Sequence, residues 1–121
     1  GVIIVTPEYS RSVPGVLKNA LDWAARPYGQ GSFNGKPTAV IGASAGPIST
    51  AAAQQHLRAV LLHLNATVLG QPEGYIQATP GLITEDGEVT NESTAAFLTS
   101  FVEAFGGLVS RVQAAKAALA A

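Results

Sequence analysis

The sequence contains no cysteine and no methionine, and only 12% of its 121 residues are charged. Without cysteine, the chain can form no disulfide, thiolate metal site or cysteine nucleophile, which is compatible with a cytoplasmic protein. The net charge is −1 and no basic block occurs, so we expect no nucleic-acid partner. No apolar run reaches the ~18–20 residues that a membrane helix needs, so we also expect no membrane span.

Hydrophobic residues make up 47% of the chain, enough to bury the core of one domain. Short β-branched apolar runs, typical of buried strands, alternate with segments of helical periodicity. Short connections between them predict parallel βαβ units with right-handed crossovers. The predicted strands are 2–5, 38–41 and 66–69; the predicted helices are 15–25, 49–64 and a long one after 91.

Local signals refine this outline. The segment 82–89 is typical of a hairpin turn, and Thr90 or Asn91 is suited to cap the last helix. Gly106-Gly107 inside that helix predicts a bend or a close packing contact. A buried strand at 2–5 needs neighbours on both sides, so we expect that an N-terminal part of the domain precedes this sequence.

Ligands of parallel sheets sit beyond the carboxyl ends of the strands, which selects the loops 6–14 and 42–49. The first loop holds two prolines and is therefore stiff, so it can fix backbone N–H groups toward a flat heteroaromatic ring. Tyr9 could lie beside such a ring. An ordinary strand-to-helix turn explains the same residues.

The second loop, Gly42-Ala43-Ser44-Ala45-Gly46, matches the G-x-S-x-G nucleophile elbow of serine hydrolases. No Asp or Glu lies between Ser44 and the later histidines, His56 and His63, so the order Ser, acid, His is not met. The Gly-Lys-Ser/Thr of a Walker A loop is also missing. A glycine-rich turn without a ligand remains an alternative.

The segment from Thr6 to Trp23 resembles the signature of the NADPH-dependent FMN reductase family. The family pattern is Pro-Glu-Tyr-Asn followed by Ser-x-Pro-Gly-x-Leu-Lys-Asn-Ala-x-Asp. The matching residues are Pro7, Glu8, Tyr9, Ser12, Pro14, Gly15, Leu17, Lys18, Asn19, Ala20 and Asp22. Ser10 stands where the family usually has Asn, which leaves a backbone contact available but not the amide side chain.

The resemblance implies a flavodoxin-like α/β fold, a parallel sheet with helices on both faces, here lacking the N-terminal strands one and two. The chain 1–121 would be the C-terminal part of one such domain. It also implies FMN and NADPH (or NADH) as cofactors, with no catalytic side chain and no metal. The implied cofactor-binding residues are Pro7, Glu8, Tyr9, Ser10, Arg11, Ser12, Ser44 and Gly46.

Several side chains have open alternatives. Glu8 is either a catalytic acid or a structural residue in the loop, and Arg11 either meets a dinucleotide phosphate or is solvated. Trp23 either packs or stacks on a cofactor. Two histidines without a third ligand make a poor metal site, so His56 and His63 fit a helix surface or a subunit contact.

The function implied by the resemblance is an NAD(P)H oxidoreductase. It would pass a hydride to FMN and then electrons to a small-molecule acceptor such as a quinone, free flavin, azo compound or chromate. An FMN-binding electron carrier without NAD(P)H turnover is the alternative, and a domain without cofactor is a third. The weakly charged second helix suggests a subunit interface, and the family is typically a homodimer or homotetramer.

Overall fold

A computed structural model describes all residues 1–121. The elements in chain order are β1 (Val2–Val5), α1 (Gly15–Ala24), β2 (Pro37–Ser44), α2 (Ala51–His63), β3 (Thr67–Val68), β4 (Gly74–Gln77) and α3 (Glu92–Ala120). All strand pairings are parallel. The predicted βαβ arrangement is therefore confirmed.

The strand β2 is the centre of the sheet. It pairs with β1 along one side, and with β3 and then β4 along the other, so β3 and β4 act as one interrupted edge strand. The strand β4 was not predicted. Its residues follow a proline-containing turn, and its extended conformation depends on pairing with Ile41–Ser44 rather than on local sequence.

Helices cover both faces of the sheet, as a flavodoxin-like fold requires. On one face α1 and α2 bury Leu21, Leu57 and Leu61 against Val40. On the other face α3 buries Phe101 against Ala39 and Ile41. These positions alternate along β2, because successive side chains of a strand point to opposite faces.

The prediction that β1 is buried on both faces is wrong for this structure. Ile4 packs against the α1–α2 face, whereas Ile3 is 37% and Val5 71% exposed. The exposed pair lies on the face of α3, and α3 packs against β2. A run of β-branched residues indicates a strand, but it does not tell which of its faces is covered.

The helix α3 has 29 residues, about 43 Å at 1.5 Å per residue. Its N-cap is Asn91, one of the two predicted caps, whose side chain accepts the Thr94 N–H at 2.9 Å. By length and composition α3 could cross a membrane, contrary to our expectation from the sequence. Phe97, Phe101 and Phe105 pack its first half on the sheet. Its length and composition are therefore only weak evidence for a membrane span.

The hairpin turn is confirmed: Ile83 and Val89 form an antiparallel bridge, and the Thr84 N–H donates to the Glu88 carbonyl. The close contact that Gly106-Gly107 suggested is not found at Gly106. The helix continues through both glycines, and a Cβ on Gly106 would meet no atom within 4 Å.

We therefore expect Gly106→Ala to stabilise the protein by about 1 kcal/mol, because alanine loses less backbone entropy in a helix. Thermal unfolding should show a rise in Tm of about 2–8 °C. A fall in Tm would mean that this face of α3 is covered in the protein.

Candidate functional site

The two loops selected from the sequence meet at the carboxyl ends of β1 and β2. The Thr6 N–H donates to the Ile41 carbonyl at 3.0 Å, which extends the β1–β2 pairing into the first loop. Thr6 and Thr50 are both buried, Thr50 at the end of the second loop. The two loops are thus parts of one surface at the expected edge of the sheet.

Gly42 allows this close approach. A Cβ on Gly42 would overlap the Thr6 carbonyl oxygen and the Thr50 hydroxyl group. The family resemblance implies a cofactor contact at Gly46, and a Cβ on Gly46 would meet nothing within the chain. The role of Gly46 beside a ligand stays a prediction, whereas Gly42 is required by the fold itself.

A layer of buried polar groups lies beneath the second loop. Gln54 is fully buried and donates to the Thr50 hydroxyl at 2.9 Å and to the Gly74 carbonyl at 2.7 Å. The Ser49 hydroxyl donates to the Ile76 carbonyl. These bonds join the start of α2 to β4, so the second loop is anchored at its far end. Sequence reasoning missed them, because a glutamine in a helix gives no signal of burial.

The first loop contains a tight turn at residues 9–12. Tyr9 and Ser12 exchange backbone hydrogen bonds of 2.9 and 3.0 Å, and the two residues between them have positive φ, 48° at Ser10 and 65° at Arg11. Positive φ at both central positions defines a type I′ turn, which favours Asn and Gly. Each non-glycine residue there costs roughly 1–2 kcal/mol, so the turn is strained.

The turn leaves donors free. The N–H groups of Ser10 and Arg11 have no hydrogen-bond partner within the chain, and neither has that of Ala45 in the second loop. The Tyr9 side chain is 63% exposed. A flat ring with acceptor atoms on its edge could use these donors, and the FMN ring system has such an edge. The residues present therefore fit the ring of FMN.

The phosphate of FMN does not fit the start of α2, although helix N-termini attract anions. The Glu8 carboxylate already occupies that position and accepts the Ala53 N–H at 2.8 Å. Its second oxygen lies 3.7 Å from the Arg11 guanidinium, and the Glu8 side chain is 8% exposed. A phosphate at this helix start would meet a buried negative charge.

The other predicted site residues lie in the two loops. The Ser12 hydroxyl lies 2.9 Å from the His56 ring, so His56 contacts the first loop. The Ser44 hydroxyl accepts the Gly46 N–H at 3.4 Å and bonds no histidine, unlike a hydrolase nucleophile. Pro7 accepts the Thr6 hydroxyl through its carbonyl. The Arg11 side chain is 69% exposed.

Other titratable side chains give no acid–base pair at the loops. Burial, and then the neighbouring Glu73 carboxylate, raise the pKa of Tyr75 above its ordinary value of 10.0. Its hydroxyl donates to Glu73 at 2.8 Å and therefore stays protonated at neutral pH. No group of three His, Asp or Glu side chains is arranged to hold a metal ion.

A substitution pair tests the contact between the loops. Gly42→Ala should destabilise the protein by about 1–3 kcal/mol, because the new methyl group must displace backbone or a buried threonine. Gly46→Ala, in the same loop, is the matched control and should change the free energy of unfolding by less than about 0.5 kcal/mol. Denaturant unfolding measures both; equal effects would contradict the crowding at Gly42.

The chain is similar in sequence to known proteins. The family model of the NADPH-dependent FMN reductases matches residues 1–80. A 2-hydroxy-1,4-benzoquinone reductase from Burkholderia is 50% identical over 109 residues, which are 90% of this chain and 60% of that protein. A quinone reductase from Pseudomonas putida is 44% identical over 108 residues, 89% of this chain and 58% of that protein.

A solved structure agrees. The flavoenzyme FerB from Paracoccus denitrificans, an NAD(P)H:(acceptor) oxidoreductase, superposes with a TM-score of 0.87 at 50% identity, over 92% of this chain and 61% of that one. The chain thus spans about 60% of the length of these relatives. The matched residues include both loops of the site. The chain belongs to the NADPH-dependent FMN reductase family.

Proposed function

We propose that the protein is an FMN-dependent NAD(P)H oxidoreductase that passes a hydride from NAD(P)H to bound FMN and then electrons to a small-molecule acceptor. The observation that carries this proposal is the strained turn at 9–12, with its unpartnered N–H groups, at the carboxyl end of β1. Family membership supports it, and relatives named quinone reductases make a quinone the first acceptor to test.

Bound FMN would supply the redox chemistry, and the chain's residues would position it. The free N–H groups of Ser10 and Arg11 would donate to acceptor atoms on the ring edge, where negative charge develops on reduction. Tyr9 would border the ring, with Pro7 keeping the loop stiff. Ser44 and Gly46 would border the ring from the second loop, and the open space at Gly46 lets a ring approach the backbone.

The phosphate of FMN needs a site outside the two loops, since Glu8 excludes it from the start of α2. The unpaired edge of β1 and the exposure of Val5 support our proposal that the chain is the C-terminal part of a flavodoxin-like domain. A loop elsewhere in that domain would hold the phosphate. We propose a cytoplasmic location, in keeping with the lack of cysteine.

A subunit contact through α1 is part of the proposal. Val16, Ala20 and Trp23 are exposed at helical spacing on α1, with Val16 81% and Trp23 77% exposed. Trp23 thus does not pack within the chain. A second copy of the chain would cover this stripe, since tryptophan is enriched among the residues that contribute most to interface affinity. A homodimer, or a homotetramer of two such dimers, would result.

Trp23→Glu should shift the protein toward monomer, because it places a charge in the proposed interface. Size-exclusion chromatography with light scattering measures the mass. Asp22→Ala, at an exposed neighbour of Trp23, is the control and should keep the oligomer. An unchanged mass for Trp23→Glu would contradict a contact at this stripe.

Titration of the full-length protein with FMN should quench flavin fluorescence, and anaerobic NADPH or NADH should bleach the bound flavin. Gly46→Ala should weaken FMN binding, because its methyl group would occupy the space of the ring, while Tm stays unchanged. A bound flavin that neither nucleotide bleaches would support the electron-carrier alternative. Absence of flavin binding would contradict both functions.

A further inference from the structure

The start of α2 has no cap of its own. Its N-cap residue, Thr50, makes no side-chain capping bond, because its hydroxyl accepts from Gln54 instead. The Ala53 N–H would then remain unsatisfied inside the protein, at a fully buried residue. A missing cap costs about 1 kcal/mol, so the helix needs an acceptor from elsewhere.

The acceptor comes from the first loop, 45 residues away in the chain. The Glu8 carboxylate accepts the Ala53 N–H, and its negative charge also matches the positive end of the helix dipole. Because α2 starts directly after the second loop, this bond ties the first loop to the end of the second. The sequence alternatives for Glu8 were a catalytic acid or a structural residue.

A further bond repeats the tie one turn along α2. The Ser12 hydroxyl lies 2.9 Å from His56 Nδ1. Glu8 precedes the strained turn at 9–12 and Ser12 is its last residue, so both ends of that turn are fastened to the same helix. Strained backbone persists only where its surroundings enforce it. The Glu8–Ala53 and Ser12–His56 bonds are the side-chain contacts that hold this turn against α2.

We propose that Glu8 is a positioning residue, which caps α2 and thereby holds the turn at 9–12 in the conformation that presents its N–H groups to the ring of FMN. The proposal rests on the proposed function. This role differs from a direct contact with the flavin, because one oxygen of the Glu8 carboxylate accepts the Ala53 N–H and the other lies near Arg11. FMN binding should therefore depend on an acceptor oxygen at position 8 that reaches Ala53, more than on the negative charge of Glu8.

The test compares Glu8→Gln with Glu8→Ala in the full-length protein. Glutamine has the same length and keeps an acceptor oxygen for Ala53, whereas alanine removes it. We expect Glu8→Ala to raise the Kd for FMN roughly tenfold or more, equivalent to the loss of a strong cap, and Glu8→Gln to raise it only a few-fold. The exposed acid variant Asp22→Ala is the control and should bind FMN as the wild type does.

Hydrogen exchange of the protein without flavin supplies the second readout. The amide of Ala53 should exchange faster in Glu8→Ala and remain protected in Glu8→Gln. If Glu8→Ala does not fold, Glu8→Asp replaces it, because its shorter side chain cannot reach Ala53.

Two results would overturn the proposal. One is a wild-type protein that binds FMN while Glu8→Ala binds it equally well. The other is a Glu8→Gln variant that loses FMN while the Ala53 amide stays protected, which would indicate that FMN binding needs the charge of Glu8 and not its acceptor oxygen. A wild type that binds no FMN would instead contradict the proposed function, and the exchange data would still report whether Glu8 caps α2.

Discussion

The contact of Gly42 with the Thr6 carbonyl and the Thr50 side chain is the constraint on which the site depends. It brings the first loop, the end of β2 and the start of α2 within van der Waals distance of one another. Any side chain at position 42 would push these segments apart. Gln54 donates to the Thr50 hydroxyl at this contact, and Glu8, two residues after Thr6, accepts the Ala53 N–H.

The site therefore has a rigid base and a strained rim. The base is polar and buried, with Thr50 and Gln54 bonded to each other and to β4. The rim is the turn at 9–12, whose conformation costs free energy and is held from both ends by α2. Such an arrangement keeps backbone donors in place before a ligand arrives, which lowers the entropy lost on binding.

Much of the fold followed from the sequence, because its signals are local. Apolar β-branched runs located β1 and β2, and Asn91 with its following polar residues marked the start of α3. The strand β4 and the exposure of Val5 could not be read in this way, since both depend on which segments lie beside them. The rule for parallel sheets and the family signature both selected the two candidate loops.

The contacts that hold those loops in place could not be predicted from the sequence. Glu8 stood out in the signature, but its partner Ala53 lies 45 residues later and contributes only a backbone N–H. Gly42 and Gly46 could not be told apart by sequence, because only the packing shows which position lacks space. Ser10 replaces the asparagine of the family pattern at a position with positive φ. Asparagine tolerates that conformation better than serine, so the replacement adds backbone strain.

The most direct measurement is a crystal structure of the full-length protein with FMN. We expect the edge of the flavin ring within hydrogen-bonding distance of the Ser10 and Arg11 N–H groups, with Glu8 still bonded to Ala53. A flavin bound away from the two loops, or a Glu8 carboxylate turned from α2 onto the flavin, would contradict it.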